Sequence, residues 1–339
     1  MSMNERPGIY TEYSVKRGVR GFGRGGAVGL AATALAGETG KVVAVSDEAS
    51  ARAEFGGNMA QLVKILLENG AGVIYCCRAE SGGYDSAFSA LMAVENIKYM
   101  LCDSREASVH AKMLSAIDGA DEKSKYRIGI VESGDGTRAA LISDAEALGS
   151  ERMVLVSHHE TEGVAGSVAA AVCGALAGES DPAVPLNGAV LAGLGDIGGN
   201  FSDADLNLLV RGGVLPLETR SGSICVIRGI TTRSKTEGVA DDTWREVNTI
   251  LIVDEVIPAL RDALKIDFAR AKNTAQTRGA IRTRVVIELE NYLKNEIIES
   301  YDNVTVTAGA DAPDTCVVSF DFTVAHGLNI IRLSANITV

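Results

Sequence analysis

The stretch Ala71-Gly-Val-Ile-Tyr-Cys-Cys-Arg78 decides the fold class. It is a short, continuous apolar run, and Gly70 ends the element before it. A run of this length without polar alternation reads as a strand buried on both faces, the kind found in parallel sheets covered by helices. Its neighbours fit that reading. Residues 59–67 carry apolar side chains at helical spacing, 84–94 read as a helix and 97–102 as a strand. The alternation continues with a helix over 107–117, a strand over 126–131 and a helix over 137–148. A strand over 152–157 and an Ala-rich helix over 164–177 complete it. Ahead of the stretch, Gly21-Phe-Gly-Arg-Gly-Gly26 leads into an apolar, strand-like run from Ala27 to Ala36. A strand over 41–45 and a short helix over 47–55 follow. The expectation is a mostly parallel sheet, helices on both faces, doubly wound in style.

Beyond residue 182 the pattern changes. Residues 186–194 are apolar and Gly-rich, 203–211 form a short helix opened by Ser202, and 224–230 read as a strand. Trp244, Val247, Leu251, Leu260, Leu264 and Phe268 fit one or two helices, with Pro258 as a kink or a second start. A strand over 249–257 is the alternative. Ile281, Val285, Leu289, Leu293 and Ile297 form an i, i+4 stripe that predicts a helix over 280–299. A strand over 304–307 and another over 315–325, with Val318, Phe320, Phe322 and Val324 on one face, follow. This last part is α+β, helices first and then a small antiparallel sheet.

Two strands stand apart from this scheme. In Ile330-Ile-Arg-Leu-Ser-Ala-Asn-Ile-Thr-Val339, Ile331, Leu333, Ala335, Ile337 and Val339 alternate with polar residues. At the other end Ile9-Tyr-Thr-Glu-Tyr-Ser-Val15 alternates in the same way. Neither has an adjoining partner, so each pairs with a sheet made elsewhere, in its own fold or in another copy.

Composition narrows the function. The 339 residues, 46% hydrophobic, suffice for about two domains, and a net charge of −12 argues against a nucleic-acid binder. No basic region followed by an apolar run marks a signal peptide, and no apolar stretch reaches the ~18–20 residues of a membrane helix. The six cysteines lie mostly inside apolar runs and read as buried free thiols. Chemical motifs are weak. Two segments fit G-x-G-x-x-G, one over 21–26 and the other through Gly193, Gly195 and Gly198, but neither opens a helix directly after a buried strand. His158-His159 with Glu160 and Glu162 follows a strand end and reads as a solvated loop. Asp241-Asp242 reads as a helix cap and Asp254-Glu255 as a solvated helix edge. No Ser–His–Asp order, P-loop or zinc signature occurs, so no catalytic residue and no cofactor is expected. One charge feature is local: Arg261, Lys265, Arg270, Lys272, Arg278, Arg282 and Arg284 face only Asp262 and Asp267 between them. The belt is either an exposed helix face or a docking surface for an acidic partner.

The order of these parts resembles the contractile tail sheath proteins of phages, bacteriocins and injection systems. The resemblance rests on Arg6-Pro-Gly-Ile-Tyr-Thr-Glu-Tyr13, Gly18-Val-Arg-Gly-Phe-Gly-Arg-Gly-Gly-Ala-Val-Gly-Leu30 and Val42-Val-Ala-Val-Ser-Asp-Glu-Ala-Ser50. Further on it rests on Leu206-Asn-Leu-Leu-Val-Arg-Gly-Gly-Val-Leu215, Ser223-Ile-Cys-Val-Ile-Arg-Gly-Ile-Thr-Thr232 and Trp244-Arg-Glu-Val-Asn248. The chain is short for that family, which implies no added outer decoration. The likeness implies an N-terminal arm over 1–20, an α/β outer domain over 21–222, an α+β tube-facing domain over 223–328 and a C-terminal strand over 329–339. It implies that Ile9, Tyr10, Thr11, Tyr13 and Val15, with Ile331, Leu333, Ala335, Ile337 and Val339, form inter-subunit strands. Val318, Phe320, Phe322 and Val324 would lie in the receiving sheet, and Arg270, Lys272, Arg278, Arg282 and Arg284 would face the tube. The implied partners are further copies of the chain, a tail tube protein, and baseplate and tail terminator proteins, without nucleic acid or membrane binding. The implied place is a virion tail or injection particle assembled in the host cytoplasm. The rival readings are a cytoplasmic α/β enzyme or nucleotide binder using the Gly-rich loops or His158, and a non-contractile shell protein.

Overall fold

Strand β1 (Ala27–Ala32) is buried at all six positions and has parallel neighbours on both sides. A strand with no solvent face needs no polar alternation, which is why its sequence is a plain apolar run. The structure, a computed structural model, describes residues 26–80, 82–121, 125–134, 136–198, 201–309 and 314–335. After β1 come β2 (Val42–Val45), α1 (Glu48–Glu54), α2 (Gly57–Glu68), β3 (Ile74–Arg78), α3 (Asp85–Met92) and β4 (Ile97–Cys102). Then follow α4 (Ala107–Asp121), β5 (Ile128–Glu132), α5 (Arg138–Leu148), β6 (Met153–Val156) and α6 (Ser167–Gly178). Next are β7 (Val190–Leu191), α7 (Asp203–Arg211) and β8 (Val214–Leu215).

The main sheet runs β2-β3-β1-β4-β5-β6-β8. Only the edge strand β2 is antiparallel to its neighbour. Successive side chains of a strand face opposite ways. Thus Cys76 enters the core beneath α2 and α6, while Cys77 enters the one beneath α3, α4 and α5. Local chemistry sets the helix starts: Asp47 accepts from the Ser50 amide at 2.8 Å, and Ser202 and Asp205 form a reciprocal capping box. Helix α6 is buried at ten of its twelve positions and lies close against α2. A Cβ on Gly174 would fall 2.7 Å from the Leu66 carbonyl oxygen, so the approach requires glycine.

Strands β9 (Leu217–Arg220) and β10 (Ser223–Val226) join β7 in an antiparallel sheet, and β11 (Lys235–Thr236) pairs with β12 (Val239–Ala240). The chain then forms α8 (Val247–Phe268), α9 (Ala275–Lys294) and the hairpin of β13 (Ile298–Ala308) and β14 (Cys316–Val324). Helix α8 is shared between two cores. Val247, Ile250 and Leu251 pack with the α/β part, whereas Ile252, Val256 and Leu260 pack with Val285 and Leu289 of α9 and with Ile298.

Several expectations need correction. Residues 249–257 are helical, and Pro258 lies inside one continuous α8. Helix α9 starts and stops five residues before the predicted bounds: Thr274 caps its start, and Glu296, at φ 59°, turns the chain after it. Ile297 therefore lies outside the helix, in the bend just before β13, where its side chain packs on the core of α8 and α9. The strand predicted over 304–307 is the end of the longer β13, which bulges near Asn303. Asp241 caps no helix, because α8 begins at Val247. Its carboxylate accepts from Thr236 and Thr243 in a local turn and is held down to about 2 by those bonds. Asp254 is not solvated: it is buried in a two-bond ion pair with Arg152 at 2.8 and 3.0 Å. His158 is only 4% exposed, so the solvated-loop reading fails there as well.

Candidate assembly surface

In a doubly wound sheet, ligands bind beyond the carboxyl ends of the strands where the winding reverses. Here that point lies between β1 and β4, and the protein's own side chains occupy it. Asp103 accepts from the Thr33 amide and hydroxyl at 2.9 and 2.5 Å, from Asn58 at 3.3 Å and from Tyr84 at 2.7 Å. Burial and the bonded Asp103 carboxylate push the Tyr84 phenol far up, so it stays a neutral donor. Beside it, Glu132 at the end of β5 is fully buried and meets the N-terminus of α6. Its oxygens accept from the Gly166, Val168 and Ala169 amides at 2.7, 3.0 and 3.3 Å, and from Arg105 at 2.7 Å. A helix N-terminus is an anion site. This one holds an internal carboxylate.

The glycine loop through Gly193, Gly195 and Gly198 is closed in the same manner. Gly195 donates to Glu160 at 2.5 Å, Gly198 to the His159 carbonyl at 3.1 Å, and Thr161 to the Asp196 carbonyl at 3.0 Å. These bonds tie it to the loop after β6. The other glycine-rich motif ends at Gly26 and leads into strand β1, with residues 21–25 outside the described residues. Ser157 and His158 share a 2.5 Å contact, but both are buried, and His158 packs edge-on against Phe201. Among the described residues no group of three or more His, Cys, Asp or Glu could hold a metal ion, and no helix is long and apolar enough to cross a membrane.

The exposed surfaces lie at the other end of the chain. In β14, Val318, Phe320, Phe322 and Val324 turn one face onto α8 and α9, and the residues between them are exposed. Among the described residues the hairpin has two strands, each with one edge unpaired. An unpaired edge is a template for another strand. After it the chain runs on without pairing through residue 335, and Leu328, Ile330, Ile331 and Leu333 are 72%, 70%, 80% and 93% exposed. Ala335 is exposed too, whereas Ile337 and Val339, like Ile9, Tyr10, Thr11, Tyr13 and Val15, lie outside the described residues. The basic belt divides into parts. Arg261 donates to the Tyr126 hydroxyl at 3.1 Å, and Arg152 stacks on that same ring. Arg284 pairs with Asp267 at 3.0 Å and Glu288 at 2.8 Å. Arg282 donates through Nε to the Val304 carbonyl at 2.8 Å, tying the β13 bulge to α9, and Arg278 donates to Asn273 at 2.8 Å. Arg270 and Lys272 are exposed where α8 gives way to α9.

Comparison with known proteins meets this geometry. Residues 239–338 match the phage tail sheath C-terminal domain. A chain of the anti-feeding prophage (AFP) baseplate superposes with a TM-score of 0.75 at 16% identity, covering 99% of this chain and 100% of that one. A chain of the AFP helical sheath in its contracted state gives 0.73 at 15% identity, covering 98% and 99%. The fold is the one that those chains share, and residues 239–338 are similar to the phage tail sheath C-terminal domain. The tail sheath protein of Bacillus phage SP01 is 27% identical over 225 residues, 62% of this chain. That match spans 38% of the phage protein's own length. The likeness to sheath proteins read from the sequence is thereby upheld, and within that domain fall α8, α9, the hairpin and the exposed stretch after it.

Sequence reasoning missed Asp103, Glu132 and the Arg152–Asp254 pair. Glu132 had a signal: an acid ending the apolar run Ile128-Gly-Ile-Val-Glu132 sits at the carboxyl end of a buried strand. The other two depend on tertiary contacts that no local pattern announces.

Proposed function

We propose that the chain is a structural subunit of a contractile tail sheath, polymerising helically around a tail tube and contracting to drive that tube through a cell envelope. The observation that carries the reading is the pairing of an edge-open hairpin with an exposed apolar stretch, both inside the match to the sheath C-terminal domain. Residues 331–339 of one subunit, together with 9–15, add as strands to the β13–β14 sheet of a neighbour, and side-chain alternation sets the register. A head-to-tail contact of this kind does not close on itself and so builds a helical array. Residues 21–222 form the outer layer, residues 223–328 face the tube, and 1–20 and 329–339 are the linking arms. Arg270, Lys272 and Arg278, with the free faces of Arg282 and Arg284, meet an acidic tube surface. The subunit's role is mechanical and non-catalytic, in a virion tail or injection particle assembled in the host cytoplasm beside baseplate and terminator proteins.

Deleting residues 330–339 tests the reading. The exposure of Ile330, Ile331 and Leu333 predicts an unchanged urea midpoint for the monomer. Electron microscopy should show hollow striated tubes from the full chain and none from the truncated one. Tubes of normal appearance from the truncated chain would sink the proposal.

A further inference from the structure

A cleft of about 320 Å³ opens where β4 begins, α6 ends and α8 passes. Tyr99, Leu176, Pro182, Leu186 and Leu251 line its apolar part, and Lys98, Glu179, Asp181 and Glu255 its charged part. Lys98 stands 3.9 Å from Glu255. Among the described residues Glu179 and Asp181 accept only from nearby backbone amides, Ser180 and Asp181 for the former at 2.8 and 3.1 Å, Ala183 for the latter at 2.9 Å. Among the described residues neither is ion-paired with a lysine or arginine. The cleft therefore keeps a net negative charge beside an apolar floor.

The first described residue lies at this place. Gly26 packs on Lys98 so closely that a Cβ would fall 2.7 Å from the Lys98 Cβ. Gly26 thus sits against a residue that lines the cleft. That segment, Ser14-Val-Lys-Arg-Gly-Val-Arg-Gly-Phe-Gly-Arg-Gly25, carries Lys16, Arg17, Arg20 and Arg24 and no acid, with Val19 and Phe22 among them. At roughly 3.3 Å per fully extended residue, the six residues from Gly26 back to Arg20 allow a reach of about 20 Å.

We propose that this cleft is the docking site of the basic segment 16–24 of the same chain, with Phe22 on the apolar floor and the arginines on Glu179 and Asp181. The lining also carries the root of the C-terminal stretch. Gly327 packs on Pro185, and Asn187 donates to Asn329 at 2.5 Å; both Pro185 and Asn187 line the cleft. Both terminal segments are therefore rooted on one cleft, and its occupancy couples them. For a sheath subunit, a consequence that rests on the sheath reading, docking parks both arms together until a neighbour draws them out. The docking itself does not depend on that reading.

The test is photocrosslinking of the dilute full-length monomer with p-benzoylphenylalanine in place of Phe22, mapped by mass spectrometry. Adducts within one chain to residues 179–187 or 251–255 are expected. Raised salt should lower their yield, since rim charges are screened. The double reversal Glu179→Lys with Asp181→Lys should lower it roughly fivefold, the scale of two exposed ion pairs reversed, while Glu162→Lys, in the loop after β6, leaves it unchanged. Adducts confined to other residues overturn the proposal. So do adducts formed only between light and heavy isotope-labelled copies, or a yield indifferent to both salt and charge reversal. The salt series decides the matter if the double variant does not fold. The crosslink reads a monomer, so failure of this docking and failure of tube formation are separate outcomes.

Discussion

Replacing Glu132 should cost this protein a large share of its stability and turn a filled anion site into an open one. The carboxylate is fully buried and accepts from three amides of the first turn of α6 and from Arg105. Glu132→Ala leaves those amides without a partner and the guanidinium facing an apolar gap, a loss of about 3–5 kcal/mol. Glu132→Gln keeps the shape but not the chemistry. One oxygen serves Arg105 and Gly166, and the other serves Val168 and Ala169. Whichever way the amide turns, its NH2 group meets two donors, so this variant should lose about 2–3 kcal/mol. Domains hold only about 5–15 kcal/mol in total, so both losses are measurable by urea denaturation followed by circular dichroism at pH 7. In Glu132→Ala the vacated helix N-terminus is open to sulfate. Sulfate should raise the midpoint of that variant more than that of the unmodified protein, with chloride at matched ionic strength as the reference. An alanine variant within about 1 kcal/mol of the parent, the ordinary scale of a point substitution, would refute the reasoning.

Three further outcomes follow from the packing. Gly174→Leu should cost at least ~1–3 kcal/mol, because its side chain meets the Leu66 backbone rather than a movable group; the urea midpoint of the monomer reads this directly. Asp254→Ala should destabilise by about 3–5 kcal/mol by removing the carboxylate to which the buried Arg152 donates twice, and replacing both residues by apolar ones of similar volume should recover much of the loss. Burial holds His110 below its usual 6.5, against the opposing pull of its hydrogen bond to the Ser104 carbonyl at 2.9 Å and of the Asp144 charge. The unfolded chain therefore takes up the proton first, so on acidification this group starts to lower stability near pH 6.5 and stops below its folded value. His110→Gln should lose less stability than the parent between pH 7 and pH 5, as compared by urea midpoints at the two values.

The α/β part was legible because its central strands β1, β5 and β6 are wholly buried, so each reads as a short apolar run between helices. The run 71–78 and the capped helices at Asp47 and Ser202 state their structure within a few residues. The C-terminal bounds were harder. Ile297 satisfies a helical stripe and a strand pattern equally, and the turn at Glu296 that decides between them has no local signature. Pro258 argues for a break that packing on both sides of α8 overrides. Of the candidate site, the exposed terminal stretch and the alternating face of β14 could be read, since they are matters of polarity along the chain. The closure of the ligand crevice could not. It brings Asp103 to Thr33 and Asn58, and Glu132 to Gly166, across tens of residues of sequence.

Filling that crevice has a mechanical consequence. Enzymes on such sheets keep the carboxyl end open and let loops move about it, which makes the region compliant. Here Asp103, Glu132 and Glu160 bolt the loops to one another, and the glycine contact between α2 and α6 leaves those helices little room to slide. A body with few soft modes passes an applied load to its boundaries instead of absorbing it in its own deformation. In the shortening array proposed above, displacement would then appear at the joints between subunits, with each subunit acting as a stiff strut.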